Sequence, residues 1–62
     1  MEKGKNVVIE DGCRISDNVV LGDNVYIESG TIIYDNVKIG SNTFIGADCI
    51  LGEHLAGYYK DR

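Results

Sequence analysis

Few side chains in this chain could do covalent chemistry. His54 is the one histidine, and its ordinary pKa makes it the one natural acid–base group near neutral pH. Cys13 and Cys49 are the two thiols. Asp17, Asp35 and Glu53 recur at intervals of eighteen residues. Carboxylates stacked at such a spacing repel one another, so the column either holds a cation or is a solvated corner. Gly22, Gly40, Gly46 and Gly52 lack the Lys-Ser/Thr partner of a phosphate loop.

The elements that must position these groups follow from one period. Ile9, Ile15, Leu21, Ile27, Ile33, Ile39, Ile45 and Leu51 fall on every sixth residue. Neither a helix nor a hairpin has that period, whereas a small unit stacked on copies of itself does. Numbering each hexad from its aliphatic residue, the fourth position carries Asn6, Gly12, Asn18, Asn24, Gly30, Asn36, Asn42, Asp48 and His54. Gly, Asn and Asp tolerate positive φ most cheaply, so a left-handed bend is expected at each of these positions.

The fifth position (Val7, Cys13, Val19, Val25, Thr31, Val37, Thr43, Cys49, Leu55) is mostly small or β-branched. It lies two residues before the next aliphatic, and residues two apart on a strand share a face. Positions five and one therefore point inward and position six outward. Strands this short pair only with strands one coil away, about 4.8 Å along an axis. Three hexads close a triangular coil, giving three coils at 3–20, 21–38 and 39–56.

This pattern resembles the hexapeptide-repeat family, closely over 9–56 and loosely over 3–8. The resemblance implies an all-β fold, a left-handed parallel β-helix. The left hand comes from the resemblance alone, because general chirality rules favour right-handed parallel crossovers. A repeat domain is expected over 1–56 and an exit segment over 57–62. Lys3 breaks the aliphatic rule in the first coil and suits an end cap. The C-terminal end shows no such device, so the chain reads as an N-terminal piece of a longer protein or as one that depends on an oligomer.

The stacking makes columns of residues eighteen apart. Ile9/Ile27/Ile45, Ile15/Ile33/Leu51 and Lys3/Leu21/Ile39 are expected inside. Asn6/Asn24/Asn42 are placed to form an amide ladder. Cys13, Thr31 and Cys49 share an inward column, and two coils put the thiols about 9–10 Å apart. A disulfide spans no more than about 7 Å between Cα atoms, so the cysteines read as small core filler.

Outside lie Val8/Tyr26/Phe44, Arg14/Ile32/Ile50 and Val20/Lys38/Ala56. Two of these columns are mostly apolar, and aligned exposed apolar residues mark an interface more than a scatter does. Val8, Tyr26, Phe44, Ile32 and Ile50 are thus expected at an oligomer interface. Relatives of this kind are typically homotrimers with parallel axes.

The resemblance further implies an acetyltransferase using acetyl-CoA as cosubstrate, with a sugar or nucleotide-sugar acceptor. A histidine acts as general base in such enzymes, which makes His54 the candidate, although its slot is also filled by ordinary bend residues in earlier coils. The alternative is a non-catalytic trimerising structural module. Zinc chemistry of the kind some relatives perform needs several histidines. Ice binding needs outward Thr ranks, and Thr31 and Thr43 are expected inside.

The net charge of −4, spread along the chain, argues against nucleic acid and anionic membranes. No apolar run approaches the roughly 20 residues of a membrane span. The polar start, Met1 to Lys5, lacks the apolar segment of a secretion signal, and two thiols then suit a reducing, cytoplasmic setting.

Overall fold

The structure is a computed structural model that describes residues 1–52. Nine two-residue strands follow one another at hexad spacing: β1 (Glu2–Lys3), β2 (Val8–Ile9), β3 (Arg14–Ile15), β4 (Val20–Leu21), β5 (Tyr26–Ile27), β6 (Ile32–Ile33), β7 (Lys38–Ile39), β8 (Phe44–Ile45) and β9 (Ile50–Leu51). No strand pairs with its sequence neighbour. Instead β1-β4-β7, β2-β5-β8 and β3-β6-β9 form three parallel sheets. These are the first, second and third walls of a left-handed parallel β-helix of three coils.

The register is a shift of eighteen residues throughout: Lys3 lies beside Leu21, Ile9 beside Ile27 and Ile15 beside Ile33. Ile39, Ile45 and Leu51 continue the three files. The first coil begins at Glu2, which pairs with Val20. Strands this short survive because, in the first two coils, the backbone donors flanking each strand are used. Val8 N–H donates to Val25 O at 2.9 Å and Glu10 N–H to Ile27 O at 3.0 Å, and the same pair of bonds recurs on each wall.

The core is the expected set of inward positions. Val19, Leu21, Val25, Ile27, Ile33 and Ile45 are buried, and Val7, Ile9, Cys13, Ile15, Val37, Ile39, Cys49 and Leu51 flank them. Burial is deepest in the middle coil, where a rung has a coil above and below it. Each fully buried aliphatic contributes about 1.5–3 kcal/mol. Thr31, the one buried polar residue among those described, donates its hydroxyl to Gly46 O at 2.9 Å. Lys3 is a correction: placed inside with Leu21 and Ile39 by the period, it is exposed at the head of its file, where no described coil precedes it to cover the position.

The corners bend where Asn, Gly and Asp were expected to take positive φ, at Asn6, Gly12, Asn24, Gly30, Asn36, Asn42 and Asp48. Asn18 is a correction. Its φ is not positive, and its contacts offer no reason for the difference. Gly52, at a second position, is left-handed with φ 62°.

Candidate functional site

Chemistry on such a prism must come from its outer walls and corners. The outward residues of the second wall are Val8, Glu10, Tyr26, Glu28, Phe44 and Gly46. Those of the third are Arg14, Ser16, Ile32, Tyr34, Ile50 and Gly52. The register stacks Val8, Tyr26 and Phe44 in one file and Arg14, Ile32 and Ile50 in another. Phe44 is 63% exposed and Ile50 57%, while Val8 and Tyr26 are also exposed and Ile32 is half-buried. The Tyr26 and Phe44 rings stack with centroids 5.7 Å apart and planes at 22°.

Glu10 organises the second wall. Its Oε1 accepts the Ser29 N–H at 3.0 Å, and its Oε2 accepts the Tyr26 hydroxyl. That hydrogen bond, and next the negative charge of Glu10, hold the Tyr26 phenol above its ordinary pKa, because the phenolate would lose a donor and face a carboxylate. Glu28 repeats part of the pattern one coil on, accepting the Ala47 N–H at 3.0 Å. The two carboxylates thus satisfy corner N–H groups that have no strand partner.

The corner between the first and second walls uses shorter side chains. Asp23 Oδ1 accepts the Lys5 N–H at 2.8 Å, and Ser41 Oγ accepts the Asp23 N–H at 3.0 Å. Beside them the amide ladder is present. Asn6 Nδ2 donates to Asn24 Oδ1 and Asn24 Nδ2 to Asn42 Oδ1, both at 3.2 Å.

Cys13 and Cys49 are free thiols, and both are half-buried. Cys13 Sγ donates to Glu28 O at 3.2 Å, the same relation that Thr31 has to Gly46 O. The fifth position on this wall is therefore a hydrogen-bonding slot as well as core filler. Sequence reasoning missed that role and the roles of Glu10 and Glu28. The available signal was the recurrence of Glu at position two, one coil below a polar or small corner residue.

Asp17 and Asp35 are both exposed, while Glu53 falls outside the described residues. Among the described residues no group of three His, Cys, Asp or Glu side chains could hold a metal ion, and no helix is long and apolar enough to cross a membrane. His54, Leu55, Ala56 and the exit segment 57–62 also lie outside the described residues.

The bacterial transferase hexapeptide model, built of six repeats, matches residues 4–34 and again 18–53. The chain belongs to this family. Two overlapping matches are what a hexapeptide-repeat protein with more than six hexads must give, since a six-unit window can be laid on it in more than one register. No curated protein and no solved structure matches the chain. Membership explains why the six-residue period is kept so strictly. A hexad of altered length would throw every later inward residue out of its file.

Proposed function

We propose that this hexapeptide-repeat chain is part of an acetyltransferase that moves an acetyl group from acetyl-CoA to a sugar or nucleotide-sugar. The observation that carries the proposal is the match to a transferase repeat family over residues 4–34 and 18–53, on a chain whose outer walls carry aligned apolar files. The working unit is a homotrimer with parallel axes, joined through Val8, Tyr26, Phe44, Ile32 and Ile50. Acceptor and acetyl-CoA meet in the cleft between neighbouring copies. His54 takes the proton from the attacking hydroxyl or amine, which lets the oxygen or nitrogen displace CoA thiolate from the thioester. The setting is the cytoplasm, where acetyl-CoA is available.

The test is thiol release from acetyl-CoA with a panel of amino sugars and nucleotide-sugars as acceptors, with the acetylated product read by mass spectrometry. Transfer that is lost in His54→Ala supports the reading. Transfer that is unchanged in His54→Ala removes His54 from the mechanism.

A second reading, a trimerising structural module without catalysis, is favoured by the aligned outward apolar files of the second and third walls, which need no active site to be of use. It predicts a stable trimer that neither binds acetyl-CoA in calorimetry nor consumes it.

A further inference from the structure

The second and third walls share one corner, at Asp11–Gly12, Ser29–Gly30 and Ala47–Asp48. Copies with parallel axes related by a rotation coil in the same sense. Strands on facing walls of two such copies therefore run in opposite directions. Outward from the shared corner, the second wall presents Glu10, Glu28 and Gly46 first. The third wall presents Arg14, Ile32 and Ile50 first. The two walls differ in height by a third of a coil, about 1.6 Å from the strand spacing, well within side-chain reach.

We infer that the second wall of one copy docks on the third wall of the next, with Glu10 of the first paired to Arg14 of the second. The inference rests on the assembly reading above and names its contact. Charge is the first argument. The charged outward side chains of the second wall are Glu10 and Glu28, and that of the third is Arg14. The second wall against itself gathers four carboxylates with no cation from either wall. The third against itself gathers two guanidinium groups with no wall carboxylate. Unpaired charges in an apolar contact are costly, and of these three arrangements only the mixed contact brings a carboxylate of the second wall to the guanidinium of the third.

Size is the second argument. In the mixed contact Ile50 meets Gly46 and Phe44 meets Gly52, so the two most exposed apolar side chains of these walls each face a glycine. Glu10 has acceptor capacity left after serving Ser29 N–H and Tyr26. A guanidinium there is held by a carboxylate already fixed in place. The contact joins unlike surfaces, so it propagates head to tail and closes into a ring when the rotation allows.

The experiment places Glu10→Cys in one tagged copy and Arg14→Cys in another. Both carry Cys13→Thr, which keeps the hydrogen-bonding slot, and Cys49→Val. After co-expression and mild oxidation, a disulfide-linked pair containing both tags is expected, and neither variant alone should cross-link. Cross-linking of either variant with itself overturns the inference in favour of like-on-like contacts. A parent chain that is oligomeric by light scattering but gives no mixed cross-link overturns the pairing and leaves the assembly reading standing. A monomeric parent overturns both.

Charge exchange gives a second readout. Arg14→Glu and Glu10→Arg should each weaken assembly roughly tenfold or more, and the double exchange should restore it. Circular dichroism checks that each variant keeps its fold. Folded single variants that assemble as the parent does overturn the pairing.

Discussion

The amide ladder gives the sharpest test of how the corners hold. Asn24 sits at φ 59°, accepts from Asn6 and donates to Asn42, each at 3.2 Å. Asn24→Ala removes both bonds and leaves an alanine in the left-handed region. That region costs an L-residue about 1–2 kcal/mol, and asparagine bears it better than alanine. The ladder bonds are exposed, so each contributes near the low end of about 0.5–1.5 kcal/mol. The expected loss for Asn24→Ala is about 2–3 kcal/mol.

Asn24→Gly removes the same bonds but takes positive φ freely, so its expected loss is smaller, about 1–2 kcal/mol. Asn18→Ala is the control. Asn18 is outside the left-handed set and contributes its backbone carbonyl, which accepts the Asn36 N–H at 3.1 Å and which alanine retains. It should stay within about 0.5 kcal/mol of the parent. A domain of this length has roughly 3–9 kcal/mol of total stability, so these differences are large enough to rank. The assay is urea unfolding followed by circular dichroism, at one protein concentration because the proposed assembly would shift the midpoint. The reading requires a shift in midpoint at constant slope. Glycine as damaging as alanine at position 24 would refute the backbone argument. Asn18→Ala as damaging as Asn24→Ala would refute the ladder.

Four further outcomes are expected. Ile27→Asp places a charge at a site with no exposure and no partner, so the chain should lose its cooperative thermal transition; an unchanged melting midpoint would contradict the inward file. Gly22→Ala would bring a Cβ within 2.7 Å of both Ser41 N and Ser41 Oγ, costing about 1–3 kcal/mol in denaturant melts, while Gly40→Ala meets nothing within 4 Å and should be nearly neutral. Tyr26 should ionise above the ordinary 10.0 in an ultraviolet phenolate titration, and Glu10→Gln should bring it down. The sign follows from linkage: a raised folded pKa gives stability that is complete below the unfolded value and is lost as pH rises through the folded one, so the parent should lose more stability than Glu10→Gln on going from neutral to alkaline pH, and the gap between them should narrow. Phe44→Glu should shift the proposed trimer toward monomer in light scattering without lowering the monomer's β content, since the side chain points outward.

What could be read from residues alone is whatever a strict period imposes. Side chains alternate across a strand, and six residues advance the chain by one wall. The inward files, the register of eighteen and the vertical alignment of Asn6, Asn24 and Asn42 therefore follow from the spelling of the hexads. The left hand did not follow, because the repeat is compatible with either winding and the resemblance supplied it. Nor did the backbone at Asn18, which has the same residue type as its left-handed neighbours Asn24 and Asn36.

The tertiary structure alone decided how neighbouring coils share polar groups. Glu10 could have stood free in solvent, but it reaches the Ser29 N–H and Tyr26 one coil away. Asp23 and Ser41 lie across the backbone beside Gly4 and Gly22, whose missing Cβ atoms leave room for them. Cys13 finds the carbonyl of Glu28. The period is a local property of the chain, whereas these choices depend on rotamers and on space opened by a residue eighteen positions away. That is why the repeat itself revealed the walls of the prism, and only the folded coil showed which side chains bind one turn to the next.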